Sequence, residues 1–162
     1  MSTSNLLYQS VIAAQSLENI YIKQTFDYYR QRYLGSLRAQ RFVAISERLP
    51  NELRDHDMPC LCDRTLGFII PKRRSLEGGA LRGALQRVGL LIATGGELFR
   101  GCIVFPTIDE YQHVISAIGY RYGTRIRHWQ QPVVHWERPT PSFYISQGES
   151  LVEKLLYGKA TH

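Results

Sequence analysis

The hydrophobic period of this chain switches several times after residue 65, and that alternation confines it to folds in which helices lie against a sheet. Residues 66–71 (LGFIIP) form an apolar run of strand length. Ser75 then stands as an N-cap before Leu76, Ala80, Leu81, Ala84, Leu85, Val88 and Ile92, which recur at helical spacing, with Gly95 and Gly96 as the stop. Residues 98–105 (LFRGCIVF) read as a second buried strand. Thr107 and Glu110 make a T-x-x-E capping box ahead of Ile108, Tyr111, Val114, Ile115 and Ile118, with Gly119 as C-cap. Residues 120–129 (YRYGTRIRHW) alternate like a strand, and residues 133–136 and 142–145 are further short strands between prolines. Residues 150–157 close the order as a short helix.

Upstream, the first 35 to 40 residues read as one long helix, with Ser4 as N-cap, Leu7, Val11, Ala14, Leu17 and Tyr21 on its face, and Gly35 at its end. Phe26, Tyr28, Tyr29 and Tyr33 cover more than one helical face, so this segment is expected to be wrapped by other elements or by a second subunit. Residues 41–46 (RFVAIS) look like a strand and residues 49–63 like a polar loop punctuated by Pro50 and Pro59. The expectation is a single α+β domain, residues 1–40 forming a helical segment and residues 41–162 the core. Its mixed or antiparallel sheet is packed by helices, with a ferredoxin-like topology as one option.

At 162 residues with 44% hydrophobic and 21% charged side chains, a disordered, collagen-like or coiled-coil chain is excluded. The longest apolar stretch, residues 88–93, is far too short to span a bilayer, and no basic region precedes the apolar residues near the N-terminus. The sequence therefore points to a cytoplasmic protein without a membrane partner. Three cysteines, two of them separated by one residue, do not make a disulfide framework. His56, Cys60 and Cys62, with Cys102 or His113, hold the donor types for zinc but lack paired C-x2–4-C knuckles, so neither a metal nor a cofactor is expected.

Charge is the feature that bears on function. Residues 1–63 carry seven basic and seven acidic side chains, whereas residues 64–162 carry thirteen basic and seven acidic, so the whole formal charge of +6 lies in the later part. Arginine outnumbers lysine sixteen to four. A guanidinium grips a phosphate with two parallel hydrogen bonds or lies flat on a base, so a polyanion is the partner this bias fits. Two stretches concentrate it. Lys72, Arg73 and Arg74 sit at an expected strand-to-helix junction, where unpaired N–H groups and the helix dipole favour an anion. The plain alternative is a solvated basic turn.

In the second stretch, an extended chain would put Arg121, Arg125, Arg127 and Trp129 on one face and Tyr122, Thr124, Ile126 and His128 on the other. Cations with an aromatic ring can track a phosphate backbone while the ring stacks on a base. These residues, Lys72, Arg73, Arg74, Arg121, Tyr122, Arg125, Arg127 and Trp129, are the candidate nucleic-acid contacts, for RNA or DNA. Two other readings stand beside this one. The chain could be an adaptor that assembles with itself or a protein partner through its N-terminal helix, or a small metal-independent ribonuclease using His128 and His135. No nucleophile motif, nucleotide-hydrolase loop or dinucleotide fingerprint supports an enzyme.

Overall fold

The computed structural model describes residues 3–139. The chain divides into two compact units, one of residues 1–20 and 139–162 and the other Tyr21–Arg138. The boundary falls inside the first helix, α1 (Thr3–Leu34), rather than after it. In the first unit Glu18 is buried, while Leu6, Leu17 and Ile20 are about half exposed. The expected elements at residues 142–145 and 150–157 lie outside the described residues.

The second unit is an α+β fold. Its elements after α1 are α2 (Leu37–Ile45), a 3-10 turn (Asn51–Leu53), β1 (Cys60–Cys62), α3 (Leu66–Ile69), α4 (Leu76–Val88), β2 (Cys102–Ile108), β3 (Val114–Arg121) and β4 (Val133–Glu137). The four strands pair in sequence order and are all antiparallel, so the sheet is a meander and not the ferredoxin-like arrangement. Period-2 alternation sends Cys60, Cys62, Cys102, Val104, Ala117, Val134 and Trp136 to one face. There they pack with Ile22, Phe26 and Tyr29 of α1 and with Leu81, Leu85 and Val88 of α4. Leu61, Ile103, Phe105 and Ile118 take the other face, with Ala39, Phe42 and Val43 of α2 and with Tyr33 and Leu49. The aromatic excess in α1 is thus absorbed by both layers. Phe26 lies 6.0 Å from Tyr29 edge-on and 5.8 Å from Trp136.

Several sequence expectations are corrected. Residues 41–46 belong to helix α2, not a strand, because Ser36 caps it (its Oγ accepts from the Ala39 N–H at 3.2 Å) and Ala39, Phe42 and Val43 then fall on one helical face. Residues 66–71 hold the short helix α3 instead of a strand. Only Leu66 of α3 is buried, while Phe68 is 89% exposed. α4 starts at Ser75 as expected, but it stops at Gly89, whose φ of 87° suits the left-handed C-cap, with the Leu90 N–H closing on Leu85 O at 2.9 Å. The capping box at Thr107 and Glu110 opens no helix. Asp109 Oδ1 accepts from the Tyr111 and His113 N–H groups at 2.9 Å each, turning a hairpin between β2 and β3. Gly119 is mid-strand, and a Cβ there would lie 2.6 Å from Phe99 Cδ1, so glycine makes room for that ring.

Candidate functional site

The strand ends on one edge of the second unit converge at Gly101. Its N–H donates to Cys62 O at 2.9 Å, and its carbonyl accepts from the Tyr122 N–H at 3.3 Å, so the end of β1, the entry to β2 and the exit of β3 meet there. Gly101 has φ 75° and Arg64, just past β1, has φ 67°. Only Gly adopts that left-handed region without cost, so the conformation of Arg64 is held by its surroundings. A Cβ on Gly101 would sit 3.4 Å from Arg64 Nη2 and 3.7 Å from Arg121 Nη1. The two guanidiniums therefore flank a bare stretch of backbone.

Arg121 is oriented and partly buried. Its Nε donates to Gln131 O at 2.6 Å and its Nη1 to Arg100 O at 2.9 Å. Arg38, from α2, lies over the Tyr122 ring with Cζ 5.2 Å from the centroid. Arg48 donates to Gly123 O at 2.7 Å and braces the loop that follows β3.

These groups line an open cleft of about 240 Å³ that includes Arg38, Arg64, Arg121, Tyr122 and Arg125. A neighbouring hollow of about 440 Å³ shares Arg64, Arg121 and Gln130 with it and adds Arg100, Trp129 and the apolar wall of Ile92. Among the described residues none of Arg38, Arg64, Arg121 and Arg125 is ion-paired with a carboxylate. Asp63 lines the cleft, but Arg32 holds it at 2.6 Å and Thr65 donates to it. Partial burial pushes the Asp63 carboxyl up, and the Thr65 hydrogen bond and the Arg32 charge outweigh that to leave it below its ordinary value. The cleft is cationic and open, and two of its guanidiniums, those of Arg38 and Arg121, are already oriented.

The structure joins four of the eight sequence candidates here. Arg121, Tyr122 and Arg125 line the cleft and Trp129 the adjoining hollow. They do so without the expected alternation. β3 ends at Arg121, Gly123 bends the chain, and Arg127 and Gln130 close a turn (Gln130 N–H to Arg127 O, 2.9 Å), so residues 122–132 are a loop and not a strand. Trp129 is 64% exposed, with Arg127 Cζ 5.2 Å from its ring centroid and His128 edge-on at 4.9 Å. Lys72, Arg73 and Arg74 are exposed in the turn before α4 and do not line either cavity. That turn is rigid. Ser75 Oγ accepts from the Gly78 N–H at 2.9 Å and donates to Lys72 O at 2.7 Å, and a Cβ on Gly78 would fall 2.0 Å from Lys72 O.

Sequence reasoning missed Arg38, Arg64 and Arg100. The glycine inside the apolar run at residues 98–105 was the one available signal, since an isolated glycine at a strand end marks close backbone approach. Arg38 and Arg64 reach the cleft only through tertiary folding.

The remaining chemistry-bearing residues are engaged elsewhere. Cys60, Cys62 and Cys102 are free and buried. Burial pushes the Cys60 thiol up to about 12 and the Cys102 thiol up to about 11. His56 Nε2 meets Pro106 O at 3.0 Å and its Nδ1 accepts from the Met58 N–H at 3.0 Å. No group of three or more His, Cys, Asp or Glu that could hold a metal occurs among the described residues. His128 and His135 share no hydrogen bond or ring contact, and His135 faces outward on β4. Compared with known proteins, the chain matches no family model, no curated protein and no solved structure.

Proposed function

We propose that this protein binds nucleic acid through the cleft at the ends of β1 and β3, with Arg38, Arg64, Arg121 and Arg125 neutralising phosphates and Tyr122 and Trp129 offering rings to bases. The supporting observation is the convergence of those four arginines on one open surface, with no carboxylate partner among the described residues. Guanidiniums kept apart from acids retain their full field, and desolvating them is favourable only against an incoming anion. The exposed Trp129, with its neighbouring cation Arg127, fits stacking on an unpaired base, worth about 1–3 kcal/mol per base. Lys72, Arg73 and Arg74 supply a secondary, longer-range attraction from outside the cleft.

Binding of single- and double-stranded oligonucleotides across a salt series tests this. Neutralising three or four phosphates on a single strand gives a log–log slope near −2 to −3, at about −0.7 per contact. Affinity that does not change with salt would exclude the reading. No helix among the described residues is long and apolar enough to cross a membrane, and the three free thiols suit a reducing compartment such as the cytoplasm.

A second reading, self-assembly or adaptor docking through the N-terminal helix, is favoured by Leu6, Leu17 and Ile20, each about half exposed on α1. Light scattering of the full chain against a variant with these three changed to serine decides it. An unchanged monomer in both dismisses it. The ribonuclease reading has no comparable support, since nothing brings His128 and His135 together.

A further inference from the structure

The corner at Gly101 is more specific than a basic surface needs to be. A phosphodiester backbone presents one negative charge at a time, spaced along the chain, and scattered cations suffice to follow it. Here two guanidiniums face a single point. Those of Arg64 and Arg121 both approach the space that a Cβ of Gly101 would take, at 3.4 and 3.7 Å. Arg100, whose carbonyl orients Arg121, lines the same hollow as Arg64 and Arg121, and its own Nη1 donates to Glu97 O at 3.3 Å. Beneath them Cys102 experiences the positive field of Arg121, Arg100 and Arg64 together, which works against the effect of its burial.

Arg121 is not a freely swinging surface arm. Its guanidinium is held by two carbonyl acceptors, while the left-handed backbone of Arg64 sets the direction in which that side chain leaves the chain. Asp63, the acid nearest in sequence, is engaged by Arg32 and Thr65. Like charges kept close without a counterion raise the energy of the empty site, and an ion of matching charge relieves it. A terminal phosphomonoester carries about −1.5 to −2 charge at neutral pH, against −1 for a diester, and offers three oxygens to forked donors.

We infer that Arg64 and Arg121 form an end-phosphate clamp around Gly101, which recognises the terminal phosphomonoester of a nucleic-acid strand, with Arg100 adding positive field from the adjoining hollow. This rests on the nucleic-acid reading above and narrows it to strands that carry a terminal phosphate. Gly101 is a positioning residue: its lack of a side chain leaves the space in which the phosphate sits between the two forks.

The test uses the full chain and one labelled oligonucleotide in three forms: 5′-phosphate, 5′-hydroxyl, and 5′-phosphate capped as its methyl ester. The expected result is binding at least tenfold tighter for the 5′-phosphate than for either other form. Inorganic phosphate should displace it at concentrations where potassium chloride of equal ionic strength does not. Arg64→Gln should bring the three affinities together, and Arg64→Lys, which keeps the charge and loses the fork, should remove most of the preference. Gly101→Ala should lower the preference while circular dichroism still reports a folded protein. Equal affinity of the wild-type protein for all three forms would overturn the clamp and leave nucleic-acid binding standing. Absence of binding to any form would overturn the nucleic-acid reading itself, and the clamp with it.

Discussion

Lys72, Arg73 and Arg74 are consecutive in the chain, whereas Arg38, Arg64, Arg121 and Arg125 are scattered along it, yet the scattered set shares a cleft and the consecutive set does not. The two regions also differ in what is held still. In the turn before α4 the backbone is locked, by Ser75 and by the absence of a Cβ at Gly78, and the cations project into solvent. At the Gly101 corner it is the guanidiniums of Arg121 and Arg38 that are oriented, by carbonyls and by the Tyr122 ring. Charge density along a sequence is therefore a poor guide to charge convergence. Antiparallel strand ends bring distant residues within a few ångströms, while neighbours on a tight turn splay apart.

Substitutions at two glycines separate these regions most sharply. Gly78→Ala forces a Cβ to within 2.0 Å of Lys72 O, so the turn must be displaced, and we expect a loss of about 3 kcal/mol in stability by chemical denaturation. Gly101→Ala meets only ordinary contacts and carries the left-handed penalty alone, about 1 kcal/mol. Its larger effect should be on ligand binding. If both variants lose the same stability, the contrast between a locked backbone and oriented side chains is wrong.

Trp129→Ala comes next in size. Removing an exposed ring should weaken single-strand binding by about 1–3 kcal/mol and leave the melting temperature almost unchanged. Its intrinsic fluorescence offers an independent reading, because Trp136 is only 5% exposed and buried beside Phe26, so quenching by an oligonucleotide reports on Trp129.

The buried thiols supply a pH signature. A Cys60 pKa of about 12 in the folded chain, against an ordinary 9.0, means that the unfolded chain loses its proton first as pH rises. The stabilisation is complete below pH 9, shrinks between about 9 and 12, and is gone above that range. Equilibrium unfolding between pH 8 and 11 should show falling stability, with a smaller fall in Cys60→Ala. The smallest effect belongs to Arg32→Ala, at an exposed site. Its loss should raise the Asp63 carboxyl toward its ordinary value and slightly weaken oligonucleotide binding, by freeing Asp63 to compete for Arg64.

The pattern of the chain revealed part of this. Class, strand β4, the start of α4 and the end of α1 were legible because each has a local cause: alternation, a Ser cap, a glycine stop. Residues 41–46 and 107–118 misled because β-branched and apolar residues there satisfy both periods, and only the Ser36 cap and the Asp109 turn decide between them. In the cleft, Arg121, Tyr122, Arg125 and Trp129 could be singled out as an arginine- and aromatic-rich stretch. Arg38 and Arg64 could not, because what makes them partners is the strand register and the open space at Gly101, and neither leaves a local mark.

Salt-dependent oligonucleotide binding by three proteins tests the comparison directly: the wild type, Arg64→Ala/Arg121→Ala, and Lys72→Ala/Arg73→Ala/Arg74→Ala. The double variant should flatten the log–log slope by about 1.4, the value for two lost contacts to a single strand, although it removes fewer charges than the triple variant. The triple variant should shift affinity with little change in slope. A slope flattened by the triple variant and untouched by the double would contradict the cleft as the site and return the function to the turn.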